Sequence, residues 1–166
     1  MSAQLQFEAH APEREPMAVA DLDTVLAIEN AVYEFPWTRG NFIDSLAAGY
    51  AAQVLRAADG TLCAYNVSMP GVQETHLLNL TVAPAWQHRG LARGLLDALV
   101  ADCRAGDAAY LWLEVRESNQ RARDIYHRYG FEQAGWRRSY YPAALGRRED
   151  ACVKRQSSGG GRDALD

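Results

Sequence analysis

The stretch from Val82 to Val100 reads "VAPAWQHRGLARGLLDALV". An apolar strand hands over to an apolar helix inside it, and Gly90, Ala92 and Gly94 leave the backbone bare at the junction. Nothing in the turn is acidic, and Arg89 and Arg93 flank it. A helix start leaves its first amides unpaired and carries partial positive charge. Small residues there let a ligand approach the main chain. The combination points to a bound phosphate or pyrophosphate. A second reading stands beside it: a tight strand-to-helix turn with Gly94 packed against a sheet.

Reading outward, the helix runs from about Gly90 to Arg104, with an apolar stripe at Leu91, Leu95, Leu96, Leu99 and Cys103. Upstream, "ETHLLNLTVAP" reads as the strand that enters the turn. Before it lie two strands, "YAAQVLRAA" and "TLCAYNVSMP", joined by the hairpin signal Asp59-Gly60. Further back, "MAVAD" reads as a short strand. Asp21 or Asp23 then caps a helix with Leu22, Val25, Leu26, Ile28 and Val32 on its apolar face. Pro36 ends that helix, and Thr38 caps a second one that stops near Gly49. Downstream, "AAYLWLEV" is a central strand and "ESNQRARDIYHRYGF" a helix capped by Ser118 or Asn119 and stopped by Gly130. "FEQAGWRRSYYP" and "EDACVKR" close as strands, the last less apolar than a buried edge needs. The order predicts an α/β fold: a mixed sheet of about six to seven strands flanked by about four helices. The reading divides the chain into a loose extension over 1–15, one domain over 16–155 and a Gly/Ser-rich flexible tail over 156–166.

The chain has 166 residues, 48% of them hydrophobic, enough for one domain with a real core. Its 17 basic and 21 acidic residues give a net charge of −4, without the basic excess of a nucleic-acid binder. Cys63, Cys103 and Cys152 are scattered, so neither a zinc site nor a disulfide framework is indicated. Reduced cysteines, no secretory leader and no span-length apolar run predict a cytoplasmic protein with no membrane partner. His10, His76, His88 and His127 form no triad with Ser or Cys.

Other phosphate motifs fail. There is no GxxxxGK[ST], and Gly90-Leu91-Ala92 follows the fourth predicted strand rather than an early first one. "QHRGLA", Gln87 to Ala92, instead resembles the [QR]xxGx[GA] signature of the GCN5-related N-acetyltransferase (GNAT) superfamily. "FPW", "LWLEVRESN", "IYHRYGF" and "RRSYYP…GRREDA" follow in order and are similar to the RimI family of ribosomal-protein-alanine N-acetyltransferases. The resemblance covers roughly residues 17–154. It implies the GNAT fold, acetyl-CoA as co-substrate and, as acceptor, the N-terminal alanine of a small-subunit ribosomal protein.

Acetyl transfer to an amine requires a base for the ammonium proton and an acid for the departing thiolate. Glu114 ends an apolar strand, where it is either a base or the ion-pair partner of Arg116. Tyr126 lies on a helical stripe where a tyrosine is usually core. The resemblance implies that Glu114 is the catalytic base and Tyr126 the acid. It implies that the backbone from His88 through Arg89, Gly90, Leu91 and Ala92 to Arg93 grips the pyrophosphate. Asn119, otherwise a helix cap, would contact the pantetheine arm, and Leu80, Thr81 and Val82 would pair their backbone with it. Phe35 and Trp37, otherwise core, would form one wall of a peptide channel, with Tyr140 and Tyr141 near the acceptor. Two other readings remain: acetylation of a small amine in an acidic pocket supplied partly by Glu34, Asp44 and Glu149, or a non-catalytic acyl-CoA-binding module.

Overall fold

A computed structural model of the chain describes residues 10–159; the rest of the expected extension and tail lies outside them. Among the described residues four helices and seven strands follow one another in the expected order. They are β1 (Glu13–Pro16), α1 (Leu22–Val32), α2 (Arg39–Ala47), β2 (Ala51–Arg56), β3 (Leu62–Pro70) and β4 (Glu74–Val82). Then come α3 (Leu91–Ala105), β5 (Tyr110–Arg116), α4 (Gln120–Tyr129), β6 (Glu132–Pro142) and β7 (Arg148–Ser157). One sheet holds all strands in the order β1-β2-β3-β4-β5-β7-β6. Only β4 and β5 pair in parallel, across α3; the other neighbours are antiparallel.

Two layers of helix cover the sheet. Leu22, Val25 and Ile28 of α1 and Phe42 of α2 pack on Val54, Tyr65 and Val67 of the central antiparallel strands. On the other face, Leu96, Leu99 and Cys103 of α3 pack on Leu111, Leu113 and Val115 of β5, joined by Phe131 and Cys152. Each fully buried leucine removed from water contributes about 1.5–3 kcal/mol. Thr38 caps α2 by accepting from the N–H of Asn41 at 3.2 Å, as its position predicts. Asp21 is the N-cap residue of α1 but its carboxylate accepts from Ala18 N instead.

Three expectations need correcting. The first strand is Glu13–Pro16, and Val19–Asp21 forms a single 3₁₀ turn rather than a strand. "EREP" has no apolar alternation because it is an exposed edge, held by pairing with β2 and by ion pairs of Arg14 with Asp102 and Glu15 with Arg56. The strand "EDACVKR" is no edge: β7 lies between β5 and β6. It also runs on to Ser157, and Ser158 is buried with its hydroxyl on Ala108 O at 2.7 Å, so residues 156–159 belong to the packed fold.

Candidate active site

The sheet comes apart at one place. Glu74–Leu77 of β4 pair with Tyr110–Leu113 of β5, and pairing stops there. The next residue, Leu78, is a bulge: Leu77 faces Ser68 of β3 and Asn79 faces Val67, so Leu78 has no partner. A bulge bends its strand and increases its twist. Beyond it β4 follows β3 to Val82, while β5 follows β7 to Arg116. A wedge opens between two strands that were parallel neighbours. Leu80, Thr81 and Val82 therefore present an edge unpaired by β5, the kind of edge that accepts a strand-like ligand. Tyr33 already donates its hydroxyl to Leu80 O at 3.1 Å. A cavity of about 570 Å³ fills the wedge, with Leu80, Glu114, Asn119 and Tyr126 on its walls.

The glycine turn follows the same strand. Pro84–Trp86 make a 3₁₀ turn, and His88 (φ 63°) and Gly90 (φ 80°) both take left-handed backbone before α3. Gly90 is the N-cap and provides no side chain; the N–H of Gly94 reaches back to Gly90 O at 3.1 Å. The amides of Leu91, Ala92 and Arg93 precede that first bond, as at any helix start. Gln87 pins the turn, donating to Val82 O at 3.2 Å and accepting from Arg121 at 2.6 Å. Arg89 stacks on Trp86 at 4.8 Å, and among the described residues neither Arg89 nor Arg93 has an acidic partner. A Cβ added to Gly90 or Gly94 would meet no atom within 4 Å. The reading in which Gly94 packs against the sheet is thereby overturned.

Glu114 and Tyr126 line one cavity from different elements. Glu114 projects from β5 with its side chain 20% exposed and pairs with Arg137 at 3.2 Å. Arg116, the partner expected from its proximity, turns instead to Glu149 at 2.7 Å and Pro142 O at 2.6 Å. Tyr126 sits on α4 with its ring edge-on to Phe131 at 5.4 Å. Its hydroxyl has no hydrogen-bond partner among the described residues, and burial pushes its pKa above that of an ordinary phenol. Asn119 caps α4, accepting from Ala122 N at 3.2 Å, and also faces the cavity.

The aromatic loops behave differently from one another. Phe35 and Tyr141 line the cavity. Trp37 does too, while also packing on Phe42 at 5.2 Å, so both readings of it hold. Tyr140 lies outside the lining, against Tyr141 at 4.9 Å. Of the acids imagined for a small-amine pocket, Glu34 lines the cavity and Asp44 does not. Glu149 is held by Arg116 and by the N–H of Ser118 at 3.2 Å, which together draw its pKa below the usual range against the effect of burial.

A polar chain under the cavity was not anticipated. Glu29, only 1% exposed, accepts from Trp37 N at 3.0 Å, from Asn79 Nδ2 at 3.2 Å and from the Tyr65 hydroxyl. Thr81 donates to Asn79 Oδ1 at 2.7 Å, and the Tyr33 hydroxyl meets Thr81 Oγ1 at 2.8 Å. Burial pushes the Tyr33 phenol up to about 12. The signal was in the sequence: Glu29 falls on the apolar stripe of α1, one residue after Ile28 and four after Val25.

Residues 22–131 match the acetyltransferase (GNAT) family. A [ribosomal protein bS18]-alanine N-acetyltransferase of Haemophilus ducreyi is 34% identical over 139 residues, 84% of this chain and 95% of the relative. The protein of that name from Salmonella typhimurium is 36% identical over 137 residues, 82% of this chain and 91% of its own length. The crystal structure of the ribosomal-protein-S18-alanine N-acetyltransferase from Escherichia coli superimposes with a TM-score of 0.80 at 31% identity, covering 93% of this chain and 99% of that one.

Proposed function

The chain belongs to the acetyltransferase (GNAT) family, and on that premise we propose that it acetylates the N-terminal amine of a protein, the alanine of a small-subunit ribosomal protein, from acetyl-CoA. The observation that carries the reading is the wedge behind Leu77, around which Glu114 and Tyr126 line one cavity, on the strand that leads into the glycine turn. Acetyl-CoA supplies the acetyl group as a thioester. The residues present fit such a ligand. The space above Gly90 and Gly94 is open, neither Arg89 nor Arg93 is ion-paired with an acid among the described residues, and the β4 edge is free of β5. The amides from His88 to Arg93 hold the pyrophosphate, Leu80 to Val82 line up the arm, and Asn119 contacts it from the start of α4.

Glu114 takes the proton from the acceptor ammonium, so that the amine carries a free electron pair. Tyr126, whose raised pKa keeps its proton in place, gives that proton to the departing sulfur. Transfer is direct, in a ternary complex: Cys63, Cys103 and Cys152 are all buried, and none lines the cavity. Phe35, Trp37 and Tyr141 wall the acceptor's path, with Tyr140 one layer behind. The small-amine reading loses support because Glu149 is neutralised by Arg116 and Asp44 faces elsewhere. The domain exceeds the expected 16–155, beginning with β1 at Glu13 and running through β7 to the buried Ser158. A ribosomal acceptor places the reaction in the cytoplasm, and among the described residues no helix is long and apolar enough to cross a membrane.

Mass spectrometry of an alanine-starting peptide and of spermidine, each incubated with enzyme and acetyl-CoA, tests the reading. Acetylation of the peptide α-amine with spermidine untouched is expected. Spermidine acetylated in preference to the peptide moves the enzyme to the small-amine class, and binding of acetyl-CoA with neither product leaves a non-catalytic module.

A further inference from the structure

The two walls of the acceptor path come from opposite ends of the chain. Phe35 lies in the connection between α1 and α2, and Tyr141 lies near the end of β6. One side chain touches both. The Arg116 guanidinium sits 4.8 Å from the Phe35 ring centroid and 4.5 Å from that of Tyr141. Its Nη1 donates to Pro142 O at 2.6 Å and to Glu149 Oε1 at 2.7 Å. The other oxygen of Glu149 accepts from the N–H of Ser118, beside the residue that caps α4. Arg116 also stands two residues from Glu114 on one strand, so both side chains project from the same sheet face.

We propose that Arg116 is a positioning residue that clasps the two aromatic walls together and so fixes the slot through which the acceptor's N-terminus reaches Glu114. The clasp rests on the functional reading above for its role, but its geometry stands apart from it. Only a planar cation does all of this at once: its faces stack on rings while its edge donates to a carboxylate and a carbonyl. A lysine keeps the charge and loses the two stacked faces. The pyrophosphate turn is left alone, because no hydrogen bond, ion pair or ring contact joins Arg116 to residues 87–94.

The experiment compares wild type, Arg116→Lys and Arg116→Gln. In the free proteins, hydrogen–deuterium exchange is followed over residues 33–38 and 139–147. In the same proteins, KM for an alanine-starting peptide and the Kd for acetyl-CoA are measured. The expected result is faster exchange in both segments together, a peptide KM raised roughly tenfold, and an unchanged Kd for acetyl-CoA. Arg116→Lys should fall between wild type and Arg116→Gln. Unchanged exchange in either segment, or a loss of acetyl-CoA affinity as large as that of the peptide, overturns the clasp. If wild type acetylates no peptide, the functional reading fails, and exchange alone still decides whether Arg116 joins the walls.

Discussion

Among the described residues no protein group shares the Tyr126 proton, and the cause lies in α4. The helix presents the phenol to the wedge while Phe131 covers one side of its ring. Replacing Tyr126 by Phe keeps the ring and removes only the hydroxyl, and with it the transferable proton. The expected outcome is a kcat lowered roughly 10²–10⁴-fold with acetyl-CoA affinity preserved, read by steady-state kinetics and calorimetry. Unchanged turnover would remove Tyr126 from the chemistry. Glu29 differs in kind, since its carboxylate serves neighbours rather than substrate. Glu29→Ala strands the Tyr65 hydroxyl, the Asn79 amide and the Trp37 N–H inside the protein. The expected cost is about 2–5 kcal/mol in urea unfolding, against a much smaller loss for Glu29→Gln, which still accepts at one oxygen. Equal effects of the two variants would mean that volume, not hydrogen bonding, sets the role of the site.

At the scale of elements, the start of α3 makes the sharpest separation of fold from ligand. Gly94 lies inside the helix, where glycine costs about 1 kcal/mol relative to alanine. Apart from the chain neighbours and the helix's own backbone, no atom lies within 4 Å of the added methyl group. Gly94→Ala should therefore raise the melting temperature slightly and weaken acetyl-CoA binding. A variant that is more stable and binds acetyl-CoA equally well would place the pyrophosphate somewhere else. Gly90 is bound by conformation instead: at φ 80° an alanine pays roughly 1–2 kcal/mol of strain. Calorimetric melting of Gly90→Ala should show that loss even without ligand. The strand partnership matters as much as the helix. Leu78 reads in sequence as one more apolar residue of a strand, yet as a bulge it sits where β4 leaves β5. Nothing in "HLLNL" announces the extra residue, because a bulge is a mismatch between two strands and not a property of one.

At the scale of the whole molecule, the phenols around the site set the alkaline limit of stability. Burial raises the pKa of Tyr33 to about 12 and pushes Tyr65, Tyr126 and Tyr141 upward as well. A group with a raised folded pKa gives stability that is complete below its unfolded pKa near 10 and is lost as pH climbs through the folded value. Unfolding free energy should therefore fall from about pH 10 to beyond pH 12, with phenolate absorbance of these tyrosines appearing only as the fold opens. Early titration of all the tyrosines in the native protein would contradict their burial. Read alone, the sequence determined the order of strands and helices and the glycine turn, which follow from local periodicity, caps and motifs that neighbouring residues carry by themselves. Glu114 and Tyr126 became an acid–base pair only through the resemblance to the GNAT superfamily, since the residues by themselves left Glu114 either a base or an ion-pair partner and Tyr126 core. Only the tertiary structure decided that "EREP" is a strand, that β7 lies inside the sheet, that Arg137 rather than Arg116 faces Glu114, and that Glu29 holds the floor of the cavity. Each of these joins residues distant along the chain, and such contacts exist only once the sheet has been assembled.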